Sequence, residues 1–301
     1  MTECIAVVGA NGFIGSRLLA AFHAAGHRTH ALSRRPPEIA TEWTSMGDIT
    51  PGPELATALE SATCVVWAAG ASTPASSALR PGSELELNLL PIIRFLEQAP
   101  MKHPLRVVYF STGGAIYGDV SGLASESTVL EPKSYYSAGK AAAESFLSAW
   151  SHLGQHEVTI LRPSNVYGPG QAYRPGFGIV PTAFHAIRTS EPVSVRGDGE
   201  AVRDYLYIDD LADLCLRVLA KPAQPGCRTF NASSAVGTSL NSLLSIITET
   251  TGSIVPRTWQ PATPFDVRRI VPDNAAARAA FGWQPRIHLH EGILRAWREF
   301  Q

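Results

Sequence analysis

The sequence predicts an α/β fold: a doubly wound parallel sheet followed by a smaller C-terminal lobe. Three observations carry this expectation. Short apolar runs recur along the first 164 residues, each closing near Gly, Ser or Thr. They alternate with stretches of helical spacing, the rhythm of βαβ units. After Ser164 the rhythm gives way to a Gly- and Pro-rich stretch and then to shorter, mixed elements.

Taken in order, "CIAVVGA" (4–10) is a continuous apolar run that suits a strand buried on both faces. "IGSRLLAAFHAAG" (14–26) has helical spacing and a closing glycine. "RTHALS" (28–33) is a second strand, "PELATALE" (53–60) a short helix opened by proline, and "ATCVVWAAG" (62–70) a third strand. "SELELNLLPIIRFLEQA" (83–99) is a helix with a kink expected at Pro91. "LRVVYFST" (105–112) and "EVTILRPS" (157–164) are strands, separated by the alanine-rich helix "SYYSAGKAAAESFLSAW" (134–150). "NVYGPGQAYRPGFG" (165–178) reads as a long loop, and loops of that length usually serve function. Beyond it come a helix (181–190), a strand (192–197), a strand running into a helix (205–220) and two further helices (239–252 and 291–300). The expected division is 1–164 for the sheet domain, with later segments returning to it, and 165–301 mainly for the lobe.

Lys and Arg number 25 against 26 Asp and Glu, for a net charge of −1. No basic excess exists to neutralise a phosphate backbone, so no nucleic-acid partner is expected. No apolar stretch approaches the roughly 20 residues of a membrane helix, and the start has no basic, cleavable leader. A soluble, cytoplasmic protein is therefore expected. Cys4, Cys64, Cys215 and Cys227 form no CxxC pair and are expected as buried, reduced thiols. The histidines do not cluster as ligands, and His23 and His27, one turn apart, lack a third partner, so no metal site is expected.

Gly9, Gly12 and Gly15 form a Gly-x-x-Gly-x-x-Gly pattern after the first strand and at the start of a helix. Glycines let the backbone approach a pyrophosphate, and the helix N-terminus faces it with N–H groups and positive dipole. This predicts a Rossmann-like dinucleotide site. The adenosine ribose should then lie by "ALSRRPPE" (31–38), where an acid would bond both ribose hydroxyls. The chain has Ser33, Arg34 and Arg35 instead. Guanidinium groups clamp phosphate through charge-assisted, bidentate bonds, so NADP(H) is favoured over NAD(H).

Further segments complete a pattern: "GANGFIG" (9–15), "WAAG" (67–70), "STGGAIYG" (111–118), "YSAGK" (136–140), "LRPSNVYGPG" (161–170), "VRDYLYIDD" (202–210) and "FGWQP" (281–285). Together they resemble the extended short-chain dehydrogenase/reductase superfamily, and within it the nucleotide-sugar epimerases, dehydratases and reductases. The pattern is most similar to UDP-glucose 4-epimerase-like members. The resemblance implies an NAD(P)-binding Rossmann-like domain, a smaller substrate-binding lobe, a homodimer made through a four-helix bundle, and by analogy alone a place in polysaccharide biosynthesis.

Tyr136 and Lys140 stand four apart, so on a helix they share a face. A free phenol has a pKa near ~10 and is a poor base at neutral pH. A nearby ammonium favours phenolate. Tyr136 can then exchange a proton with a sugar hydroxyl or ketone while hydride moves at the same carbon. Tyr135 lacks a lysine at that offset. A hydroxyl at the end of the preceding strand should polarise the reacting oxygen. Relatives often carry it four before Tyr117, where this chain has Gly113, so Thr112 is favoured and Ser111 held in reserve.

The resemblance also implies a cofactor-binding set: Gly9, Asn11, Gly12, Phe13, Ile14 and Gly15 in the loop, Asp48 beside the adenine with Ile49 after it, Ala68, Ala69 and Gly70 after "VVW", Asn88 supporting the cofactor pocket, Lys140 at the nicotinamide ribose, and Pro163. For a UDP-hexose it implies Thr112, Asn165 and Arg203 at the reacting sugar and diphosphate, and Asp266 at the nucleoside ribose. Relatives often carry an arginine three before that acid; here it is Thr263, and Arg268 or Arg269 is the candidate replacement. Arg203 has a competing use, an ion pair with Asp204 or Asp209.

Two enzymatic readings stay open. A 4-epimerase has no net redox change, and the whole-chain resemblance favours it. An NADPH-dependent NDP-4-keto-sugar reductase suits Arg34 and Arg35 better. The dehydratase branch usually carries an Asp-Glu pair after its Thr, where this chain has Gly113 and Gly114. A non-catalytic cofactor-sensing regulator is the remote alternative, because such proteins commonly lose the Tyr/Lys pair.

Overall fold

The computed structural model describes residues 4–39, 41, 43–47, 59, 62–99, 104–262 and 267–300. Its central sheet is built from β1 (Cys4–Val8), β2 (Arg28–Ser33), β3 (Trp43–Met46), β4 (Cys64–Trp67), β5 (Arg106–Phe110) and β6 (Glu157–Pro163). A seventh strand joins beyond β6, from residues 226–232, giving the order 3-2-1-4-5-6 and then that late strand. The neighbours from β3 to β6 all pair in parallel. This is the doubly wound order, in which the connections reverse direction between β1 and β4. β1, β4, β5 and β6 are buried along their whole length, which accounts for their unbroken apolar runs.

Two strands of this sheet lie outside the sequence expectation. β3 is four residues, "WTSM", at an edge; it carries no apolar run. The 226–232 strand, "GCRTFNA", is also an edge strand, so it need not alternate cleanly. The expected helix at 53–60 falls outside the described residues apart from Leu59.

The helices around these strands are α1 (Phe13–Ala24), α2 (Pro74–Ser77), α3 (Pro81–Glu84), α4 (Leu90–Gln98) and α5 (Tyr135–Gly154). A π-turn, Leu85–Leu89, joins α3 to α4. The disturbance expected at Pro91 is thus found just before it: Pro91 occupies the first turn of α4, where its missing N–H matters least, and the wide turn absorbs the break. α5 begins with a capping box in which Ser134 and Ser137 satisfy each other's N–H groups. Trp67, Phe95 and Trp150 form a train of rings, 5.4 and 5.9 Å apart, that ties β4, α4 and α5 into one core.

Beyond β6 lie β7 (Asn165–Tyr167), α6 (Ile179–Thr189), β8 (Val193–Arg196), β9 (Val202–Tyr207), α7 (Ile208–Leu219), β10 (Gly226–Ala232), β11 (Gly237–Ser239), α8 (Leu240–Thr251), β12 (Arg257–Gln260), β13 (Arg269–Ile270), α9 (Ala275–Phe281) and α10 (Leu289–Phe300). The stretch read as one long loop therefore opens with a strand, β7, which pairs with β9; β11 and β13 pair with β9 as well. β8 pairs with β12.

The chain forms two compact units. The first comprises Met1–Ser111, Ser134–Arg162 and Ala212–Phe230, and the second Thr112–Lys133, Pro163–Leu211 and Asn231–Gln301, over their described residues. Cys4, Cys64 and Cys215 are buried and in no disulfide; Cys227 is likewise in none but half-buried, because it sits on the edge strand β10. Among the described residues, no helix is long and apolar enough to cross a membrane.

Candidate active site

In the first unit, the loops after β1 and β4 meet where the sheet order reverses. The Ala68 amide donates to the Val8 carbonyl at 2.9 Å. Gly9 has φ +85°, and a Cβ there would stand 2.7 Å from the backbone of Ala69. A Cβ on Gly15 would fall 2.1 Å from the Gly9 carbonyl oxygen, so this helix start can close on the strand only with glycine present. Gly12 is the N-cap of α1 and offers no side-chain cap to the first turn. Phe13, Ile14 and Gly15 form that turn, with their N–H groups directed as an anion site requires. These features fit a dinucleotide pyrophosphate. Gly70 follows Ala69 with open space around it.

Asn11 reaches across to the end of β2, donating from Nδ2 to the carbonyls of Arg35 (2.5 Å) and Pro36 (2.9 Å). The Ser33 hydroxyl donates to the Arg35 carbonyl as well. Ser33 is therefore buried and spends its proton on the turn. Arg34 and Arg35 are exposed, and neither guanidinium has a partner among the described residues. Asp48 and Ile49 lie outside the described residues.

Tyr136 and Lys140 sit on the first turns of α5. Tyr136 is half-buried, whereas its neighbour Tyr135 is 46% exposed. The backbone N–H of Tyr136 donates to the hydroxyl of Ser77, at the end of α2. Lys140 is buried, and its ammonium donates to the Phe110 carbonyl at 2.8 Å and lies 4.8 Å from the centre of the Tyr109 ring. Burial pushes its pKa down to about 8, while the carboxylates of Glu84 and Glu144 pull the other way. Glu144 is gripped by Arg162 through two hydrogen bonds. Ser111, next in sequence to Phe110, is buried and its hydroxyl has no hydrogen-bond partner among the described residues.

Asn88, in the π-turn, accepts from the Ala71 N–H at 2.9 Å and donates to the Ser72 hydroxyl at 2.9 Å. Ser72 in turn donates to Glu84. π-turns are frequent at functional sites, and this one presents Asn88 to the loop that follows β4.

In the second unit, Thr112 is buried, and Pro163 accepts from the Gly113 and Gly114 amides. The Asn165 amide donates to the Asp204 carbonyl and lies against Gly114. Arg203 donates to the carbonyls of Val202 and Val267. The Asp204 carboxylate is taken by the Ser234 hydroxyl and by the N–H groups of Ser234 and Val236. Arg268 is bound bidentately to Asp198 at 2.7 and 2.8 Å on the surface, and Asp119 receives its backbone N–H. Asp266 and Thr263 lie outside the described residues.

Glu84 is absent from the sequence reading. In "PGSELELN" two glutamates stand two apart, and spacing alone does not tell which is turned inward. Glu84 is 3% exposed, whereas Glu86 is exposed. Ser72 and Ser77 were missed for the same reason: isolated serines in a polar stretch give no signal before the fold places them.

A model of the NAD dependent epimerase/dehydratase family matches residues 5–233. The UDP-glucose 4-epimerase of Mycolicibacterium smegmatis is 33% identical over 222 residues, which cover 73% of this chain and 70% of that protein. The GDP-6-deoxy-D-mannose reductase of Pseudomonas aeruginosa is 26% identical over 99% of this chain and 98% of its own. The crystal structure of Thermus thermophilus UDP-glucose 4-epimerase in complex with NAD superposes with a TM-score of 0.89 at 28% identity, over 99% of this chain and 98% of that one.

Proposed function

This chain belongs to the NAD dependent epimerase/dehydratase family and is an enzyme of it, and on that premise we propose that it is a UDP-hexose 4-epimerase. The observation that carries the reading is the Tyr136–Lys140 pair, with the lysine buried and tied to the end of β5 at Phe110. The likeness to UDP-glucose 4-epimerases supports it.

When bound at the glycine loop, a nicotinamide dinucleotide supplies the hydride acceptor. Tyr136 takes the proton of the sugar hydroxyl as its carbon is oxidised and returns it when the ketone is reduced from the other face. Lys140 holds the phenol toward phenolate. Thr112, or Ser111, whose hydroxyl has no partner among the described residues, polarises the reacting oxygen. In this reading the first unit holds the cofactor through Gly9, Asn11, Gly12, Asn88 and Lys140. The second holds the sugar nucleotide through Asn165, Arg203 and Asp266, with Arg268 released from Asp198 only if it serves the same ligand.

A second reading, an NADPH-dependent 4-ketoreductase, is favoured by Arg34 and Arg35, which are exposed at the end of β2 and suited to a 2′-phosphate. Identifying the nucleotide released by acid from the purified protein separates the two: tightly held NAD supports the epimerase, and an empty protein that takes up NADPH supports the reductase.

A homodimer belongs to the same reading. Leu85 (51% exposed) and Leu87 (47%) on the π-turn, with Phe146 (46%) and Leu153 (81%) on α5, supply the apolar surface that a two-helix face needs.

A further inference from the structure

We propose that Glu84 is a positioning residue for the Tyr136–Lys140 pair: its buried carboxylate, set into the gap left by Gly139, is the counter-charge of the Lys140 ammonium. The consequence for catalysis rests on the reading of that pair given above; the counter-charge itself does not.

Glu84 ends α3 and is 3% exposed. One carboxylate oxygen accepts from the Ser72 hydroxyl, and the other is buried without a hydrogen-bond partner among the described residues. A methyl group on Gly139 would stand 2.7 Å from that second oxygen and 2.8 Å from Cγ. Glycine at 139 therefore makes room for the carboxylate. Gly139 lies three residues after Tyr136 and one before Lys140, so the acid meets α5 at the turn that carries the pair.

The ammonium of Lys140 is buried and donates to the Phe110 carbonyl, a neutral acceptor that cannot balance its charge. Glu84 from α3 and Glu144 from α5 act on its charge, the Tyr109 ring of β5 lies 4.8 Å away, and Tyr136 stands four residues before it on α5. Glu144 is already engaged by Arg162 through two hydrogen bonds. Glu84 has no such cation bonded to it among the described residues. It is also the first of the two carboxylates that favour charged Lys140 against burial. Two opposite charges that are each costly to bury alone are the natural complement of one another.

The test uses the full chain grown with 13Cε-lysine, titrated by NMR, with the Lys140 signal assigned by its loss in Lys140→Met. The wild-type midpoint is expected near 8. Glu84→Gln, nearly equal in shape, should lower it by about 1 unit or more, and Glu84→Asp, which keeps the charge, should restore most of the difference. If Glu84→Gln does not fold, Glu84→Asn against Glu84→Asp makes the same comparison at equal size. An unmoved midpoint between charged and neutral variants overturns the proposal. In the activity arm, the alkaline limb of kcat should move to lower pH with KM unchanged; a loss of thermal stability with the limb in place would mean that Glu84 only fills space. A shifted midpoint in a protein that turns over no UDP-hexose leaves the counter-charge standing and removes the proposed function instead.

Discussion

Lys140 donates its ammonium to the carbonyl of Phe110 across 2.8 Å, fastening α5 to the end of β5 with the phenol of Tyr136 one helical turn away. The first prediction follows from that attachment. Tyr136→Phe should lower UDP-hexose turnover by ~10²-fold or more, as loss of a general acid–base does. Tyr135→Phe should leave it within a few-fold, since that ring faces solvent. Equal losses in both variants, read by proton NMR of the two epimers, would remove Tyr136 from the chemistry.

The hydroxyl that polarises the reacting oxygen can be assigned by alanine substitution. Removing one such donor lowers kcat by ~10²–10³-fold. Either Ser111→Ala or Thr112→Ala should show that loss while the other stays near wild type. Ser111 enters this comparison because its buried hydroxyl makes no hydrogen bond among the described residues.

Arg34→Asp combined with Arg35→Ser should weaken NADPH more than NADH, by roughly tenfold or more, the value of a charge-assisted bond. Fluorescence titration with each cofactor measures the ratio. Equal weakening of both would mean that these arginines do not touch a 2′-phosphate.

Glu144 and Arg162 form a buried pair, with side chains 7% and 6% exposed and N–O distances of 2.9 and 2.6 Å. Glu144→Gln should destabilise the fold by about 3–5 kcal/mol, because the buried guanidinium of Arg162 loses the carboxylate that balances its charge. Denaturant unfolding reads this directly. A change under about 1 kcal/mol would show that water reaches the guanidinium.

His156 predicts the acid side of the stability curve. It is fully buried, stacked on Trp150 at 3.7 Å, and its Nδ1 accepts from the Leu105 N–H. Burial lowers its pKa, as it does for His30. The unfolded chain therefore binds protons that the folded chain refuses. Stability is full above the ordinary histidine pKa of about 6.5 and falls as pH drops below it. The thermal midpoint should decline below about pH 6.5, and less steeply in His156→Gln.

The alternation of apolar runs with helical spacing was enough to read a doubly wound sheet, because strands buried on both faces must be apolar throughout and their crossovers must be helical. "CIAVV", "CVVW" and "RVVYF" became β1, β4 and β5 for that reason. β3 and β10 escaped notice because edge strands meet no such demand. The glycine spacing marked the loop at Gly9, since the turn tolerates no Cβ there. Helical arithmetic alone put Tyr136 and Lys140 on one face.

By itself, then, the chain determined its periodicities, its glycine turn and the offset between phenol and ammonium, all of which are properties of neighbours in sequence. Helical spacing also puts Glu144 near Lys140, but only tertiary structure brings in the second carboxylate, Glu84. Glu84 comes from more than fifty residues away, and only the packing of α3 against α5, at a glycine with no side chain to block it, turns Glu84 inward and leaves Glu86 in solvent. Charge placement across such a distance depends on which surfaces are buried together, and no local pattern records that.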